Sequence, residues 1–197
     1  SVLISWIISP FLSLGILLRR RWANNSVGEI EIISPDEMTN EFDEFWSKLQ
    51  RYHSGRLLSY RDRDSIVWQF SNECANTSNP VIFTLRIDGI LAGYAIVTRV
   101  DSPKFNLKRM MITDLIVLDD NPDKIINLIQ DVYSYAKKQK MAMLQMVGFP
   151  SFVRSALKPL YPFMHTLPYT PFWYFVVNPD LKDQLQNESA WYATTFD

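Results

Sequence analysis

Val81-Ile-Phe-Thr-Leu-Arg-Ile87, Asp88-Gly89, Ile90-Leu-Ala-Gly-Tyr-Ala-Ile-Val-Thr-Arg-Val100 is the stretch whose reading decides the fold. Two runs rich in β-branched and aromatic residues flank an Asp-Gly pair. Both residues of that pair tolerate positive φ, so the two-residue connection predicts an antiparallel hairpin. A loop with Pro103 follows. Leu107–Leu118 is then a third strand, almost continuously apolar from Met110, as a strand covered on both faces should be. Asp119-Asp120-Asn121-Pro122 leads into a helix to about Gln139, whose apolar face is Ile125, Leu128, Ile129, Val132 and Tyr135. Met141–Val147 is the next strand. A strand–helix–strand crossover is parallel and right-handed. A hairpin feeding such a unit gives a mixed α/β (α+β) fold: a mainly antiparallel twisted sheet with one parallel unit and helices on both faces.

Outside this centre, Glu29–Ile33 is a short strand. Ser34-Pro35-Asp36-Glu37 reads as a helix start with a capping box, predicting a helix to about Tyr52. Asp62–Glu73 is a weaker helix carrying Ile66, Trp68 and Phe70. Ser151–Leu157 is a short helix. Phe172–Val177 is expected as a fifth strand, Asp180–Gln186 as a short helix and Trp191–Phe196 as a last strand. The domain reading is 1–30 as an apolar helix and linker, and 31–197 as the folded domain. Ser1–Leu18 is strongly apolar and precedes Arg19-Arg20-Arg21, but Pro10, Gly15 and its serines interrupt it. It falls short of the ~20 apolar residues that a bilayer span needs. Its basic residues follow the apolar run, unlike those of a signal peptide. A helix packed on this or another domain is the favoured reading, a truncated membrane helix the other. Because the chain starts at Ser1 and stops at Asp197, a piece of a longer protein is expected.

Composition narrows the classes. The chain has 197 residues, 20 Lys+Arg against 21 Asp+Glu, and 47% hydrophobic residues. The length fits one domain. A net charge of −1 gives no bulk attraction for nucleic acid, so no nucleic-acid partner is expected. One cysteine, Cys74, allows no internal disulfide, and two histidines, His53 and His165, make a metal centre unexpected.

The element order from Asp62 resembles the GNAT N-acyltransferase superfamily over roughly residues 60 to 178. The hairpin is Val81–Val100, the central strand Leu107–Leu118, and the next helix Lys124–Gln139. Gly93-Tyr94-Ala95 looks like the family's second hairpin strand, and Leu160-Tyr161-Pro162-Phe163 stands where the family often has Gly-Phe. Phe42-Asp-Glu-Phe45-Trp46, Arg61-Asp62-Arg63-Asp64 and Trp68-Gln69-Phe70 resemble the second domain of Fem-like tandem-GNAT proteins, with Gln69 where that pattern has Arg. This resemblance implies a missing N-terminal domain, and acyl transfer to an amine of a sugar or peptide in the cytoplasm. Acetyl-CoA or another acyl-CoA would be the cofactor, with no metal and no membrane anchor. The alternative is a catalytically silent module of the same fold that binds substrate or a partner domain.

The resemblance places cofactor contacts along Ile116, Val117 and Leu118 and at Lys124. It also implies a glycine-rich loop whose N–H groups hold the CoA pyrophosphate. Here that loop is glycine-free, and Asp119, Asp120 and Asp123 predict weak acetyl-CoA binding. The family's base position falls on Met111 or Ile112, neither able to accept a proton. The position of its acid falls near Leu157 and Lys158, with Tyr161 the nearest candidate. Asp114, inside an apolar strand, is the second catalytic candidate. A buried carboxylate needs a partner, either a substrate amine or one of Arg86, Arg99 and Arg109. Tyr161, Phe163, Tyr169, Phe172, Trp173 and Tyr174 could line a cleft or fill a core. Tyr60-Arg61-Asp62-Arg63-Asp64 reads as a solvated helix start.

Overall fold

A computed structural model describes residues 27–71, 78–165 and 175–197. Five strands form one sheet in sequential order: β1 (Glu29–Ile33), β2 (Ser78–Ile87), β3 (Ile90–Arg99), β4 (Arg109–Val117) and β5 (Met143–Met146). The first four pair antiparallel, and β4–β5 is the single parallel pair. The β2–β3 hairpin turns on Asp88 and Gly89, at φ 51° and 75°, as a two-residue turn matched to strand twist requires.

Four α-helices among the described residues flank the sheet, α1 (Glu41–Tyr52), α2 (Arg63–Ser71), α3 (Pro122–Lys138) and α4 (Ser151–Ala156), and a short α5 (Lys182–Gln186) lies in the C-terminal segment. One face of the sheet packs Phe83, Leu85, Ala95, Val97, Leu115 and Val117 against α3 and α4. The other packs Ile82, Tyr94, Ile96 and Ile116 against α1, α2 and the C-terminal Tyr192 and Phe196. Each large side chain so buried contributes about 1.5–3 kcal/mol. Helices thus lie on both faces, as the sequence implies.

Three local expectations fail. The helix expected over residues 34–52 is two pieces. Ser34 and Glu37 do bond as a capping box would (Ser34 N–H to Glu37 Oε2, 2.7 Å), but only a 3-10 turn, Pro35–Glu37, follows. Met38 is extended, and its carbonyl accepts Arg63 Nε–H at 2.9 Å instead of a helical amide. The helix restarts after Asn40. Trp191–Phe196 is not a strand: its ladder is one bridge, Trp191 with Leu57. Phe175, Val176 and Val177 are not in a strand, while Phe172–Tyr174 lie outside the described residues, as does the apolar segment Ser1–Leu18.

The β3–β4 register slips by one residue between Ile96 and Val97, leaving Thr113 as an extra residue on β4. Such a bulge reverses which face successive side chains take. Met110 and Ile112 face α3 before it; Leu115 and Val117 face α3 after it. Asp114 is thereby turned toward α1 and α2.

Candidate functional site

β5 accompanies β4 only over Arg109–Ile112, yet β4 runs on to Val117. Beyond Ile112 the edge of β4 has no strand beside it among the described residues. Side chains from the C-terminal segment stand there instead. The Tyr192 hydroxyl donates to the Leu115 carbonyl, and the Thr195 hydroxyl donates to the Thr113 carbonyl at 3.2 Å. Burial raises the pKa of the Tyr192 hydroxyl well above 10, so it remains a donor.

Behind this edge lies a buried ionic network. Arg61 and Asp114 both have fully buried side chains, and Arg61 Nε–H donates to Asp114 Oδ2 at 2.9 Å. Tyr94 Oη–H donates to the same oxygen at 3.2 Å, and Thr194 Oγ1–H to Oδ1 at 3.1 Å. The guanidinium also donates to the Ser59 carbonyl and hydroxyl and to Asp197 Oδ2, and lies over the Phe196 ring. Burial raises the Asp114 pKa, while Arg61 pulls it back. Burial also raises that of Asp197, but Arg61 and the Ser59 hydroxyl outweigh it, leaving a lowered value. The expected partners of Asp114 are therefore corrected. Arg86 pairs with Glu41 and Glu31, Arg99 with Asp101, and Arg109 Nε–H donates to the Val100 carbonyl. Arg61, read as solvated, is among the most buried residues of the chain.

No family model and no curated protein matches the sequence. Solved structures do match the fold. A ribosomal-protein-alanine N-acetyltransferase from Brucella melitensis is 18% identical with TM-score 0.50, covering 74% of this chain and 99% of its own. An aminoglycoside acetyltransferase from an uncultured soil metagenomic sample, in complex with sisomicin, is 12% identical with TM-score 0.52, at 75% and 95% coverage. A predicted acetyltransferase from Clostridium acetobutylicum, with acetyl-CoA, is 14% identical with TM-score 0.52, at 73% and 94%. The chain has the GNAT acetyltransferase fold.

In the GNAT fold the β4–α3 loop is where a CoA diphosphate is expected, and here its amides are already engaged. Asn121 N–H donates to Asp119 Oδ1, Pro122 has no N–H, and Asp123 and Lys124 N–H both donate to Asn121 Oδ1. Ile125 N–H donates to the Asn121 carbonyl at 3.2 Å. Asn121 is thus a complete N-cap, which closes the positive end of α3 to an anion. The repulsion expected from the loop is smaller than its carboxylates suggest. Arg56 takes Asp120 in a two-pronged pair and Lys124 Nζ takes Asp119 at 2.8 Å. Burial raises the Asp119 pKa, but Lys124 leaves it below the ordinary value. The amides, more than the charges, make this loop a poor fit for a diphosphate.

The remaining candidates of this GNAT-fold chain fall in different places. Ile116 and Val117 are buried in opposite core layers. Leu118 is half-buried, and its carbonyl accepts from His53 Nε2–H at 3.0 Å. Lys124 is held by Asp119. Tyr161 is 62% exposed, in the left-handed region at φ 50°, and lies outside the Arg61–Asp114 network. Met111 and Ile112 offer no ionisable group. Among the described residues no three His, Cys, Asp or Glu side chains gather as a metal site. An open cleft of about 450 Å³ borders the network, lined by Tyr60, Asp64, Trp68, Gln69, Phe196 and Asp197 among others. Sequence reading missed Arg61, Arg56 and His53. The one usable signal was Asp114 itself, which demands a buried cation somewhere in the chain.

Proposed function

We propose that this chain is an N-acyltransferase domain, moving an acyl group to an amine of a sugar or peptide, with acetyl-CoA or another acyl-CoA as the donor class. The observation that carries this reading is the open edge of β4 beyond Ile112. A strand edge whose carbonyls, at Thr113 and Leu115, accept side-chain hydroxyls can take an extended, amide-bearing molecule by exchanging those bonds. The neighbours support the acceptor class: one is named for a protein alanine, and one was solved with an aminoglycoside. The third was solved with acetyl-CoA.

The same proposal includes a Fem-like tandem arrangement, in which residues 1–30 lead to a further domain, and a cytoplasmic site of action. No helix among the described residues is long and apolar enough to cross a membrane. The test is incubation of the protein with acetyl-CoA and a panel of amino sugars and peptides, following thiol release and the mass gain of one acetyl group. Amine-dependent release above the blank is expected. No acetylated product with any acceptor would remove the reading.

A further inference from the structure

We infer that the cleft between the last turns of α1 and the end of β4 binds the phosphate groups of a phosphorylated ligand, with Lys48 and Arg51 as its cations. The cleft has a volume of about 400 Å³ and is lined by Lys48, Arg51, Tyr52 and Leu118. Lys48 and Arg51 stand three residues apart and so share one side of α1. The opposite side, Phe42, Phe45, Trp46 and Leu49, is buried.

Charge bookkeeping around the β4–α3 loop singles out these two cations. Arg56 is spent on Asp120, Lys124 on Asp119, and Arg61 on Asp114 and Asp197. Lys48 and Arg51 form no ion pair among the described residues. Glu44, one turn earlier on α1, does not reach Lys48. The cleft therefore carries two unmatched positive charges. A planar guanidinium and a compact ammonium lining one cleft are a chemical match for phosphate oxygens.

The cleft is also fixed relative to the open edge. His53 Nε2–H on the Leu118 carbonyl and Arg56 on Asp120 tie the end of α1 to the end of β4. An anion at Lys48 and Arg51 sits beside Leu118, the residue where β4 gives way to the loop. The capped N-terminus of α3 offers no such place. The inference rests on the geometry of the cleft, and it deepens the proposed function by giving a phosphorylated acyl donor a grip from the α1 side.

The experiment is calorimetric titration of the chain with acetyl-CoA, with S-acetylpantetheine, which keeps the arm but lacks the phosphates, and with inorganic pyrophosphate. Each is repeated on Lys48→Gln/Arg51→Gln, both exposed, and on Asn121→Ala, which uncaps α3. Acetyl-CoA should bind at least tenfold more tightly than S-acetylpantetheine. The double variant should erase that gap and abolish pyrophosphate binding, and Asn121→Ala should leave both intact. A gap that survives in the double variant, or vanishes in Asn121→Ala, overturns the inference. Pyrophosphate binding lost in the double variant, with no acyl transfer by the wild type to any amine, would sustain the site and remove the acyltransferase reading. Acyl transfer with no pyrophosphate binding would do the reverse.

Discussion

Arg61 Nε and Asp114 Oδ2 meet at 2.9 Å with neither side chain exposed, across 53 residues of sequence. The pair joins the start of α2 to the middle of β4, and through Asp197 it also holds the C-terminal segment. Removing Arg61 leaves the buried Asp114 carboxylate with hydroxyl donors but no cation, and breaking a buried pair in this way typically costs about 3–5 kcal/mol. Arg61→Ala should therefore lower the unfolding free energy in urea by about that amount, and Arg61→Met/Asp114→Leu should recover part of it. A loss under about 1 kcal/mol in Arg61→Ala would show that the network is not closed as described.

Glu41 supplies the acid limb of stability. Arg86 donates to both its oxygens and holds its carboxyl below the ordinary value of 4.5. A carboxylate with a lowered folded pKa contributes stability above its unfolded pKa and loses it as the pH falls through the folded one. Asp114, held above its ordinary value by burial, has the opposite sign and softens the loss. Urea midpoints should separate wild type from Glu41→Gln at neutral pH and converge in acid, as the pH falls through the lowered folded pKa. A separation that stays constant through the acid range would remove this role for Glu41.

Tyr192→Phe deletes only the hydroxyl on the Leu115 carbonyl. The bared carbonyl and the lost bond should cost about 1–2 kcal/mol. Hydrogen exchange should also quicken in the C-terminal segment before it quickens in β2 or β3. Unchanged exchange there would mean that the segment is held by its other contacts, those of Trp191, Thr194, Thr195, Phe196 and Asp197, without this bond.

Gly93 packs closely against Val117 and Ile116 of β4. A Cβ there would stand 2.7 Å from Val117 Cγ1 and 2.8 Å from the Ile116 carbonyl oxygen. Backbone on one side leaves little room to yield, so Gly93→Ala should destabilise by about 1–3 kcal/mol. Gly89→Asn at the hairpin tip, where no atom lies within 4 Å, should be tolerated far better. Equal melting temperatures for the two variants would contradict the close approach.

What the sequence made legible was local. Asp88-Gly89 announced its own turn, and the apolar faces of β4 and α3 announced the crossover. What it hid depended on residues far apart. Arg61 sits in an alternating run of charges that looks solvated, and nothing nearby says that Asp114 needs it. The loop showed its carboxylates but not that Arg56 and Lys124 neutralise two of them, nor that Asn121 uses the amides. Trp191–Phe196 looks like a strand because its residue types suit one. Its bonds to β4 run through the hydroxyls of Tyr192 and Thr195, and composition does not distinguish side-chain from main-chain pairing.

The extra residue at Thr113 makes β4 a text with a shifted reading frame. Up to Ile112, even-numbered side chains address α3; from Leu115, odd-numbered ones do. Were Thr113 held in a regular ladder and not bulged out, the first frame would run through the whole strand. The Asp114 carboxylate would then be delivered among Leu128, Val132 and Val153, and Leu115 to Arg61. The bulge at Thr113 is the register mark that tells the second half of the strand which side of the sheet is ionic and which is oil.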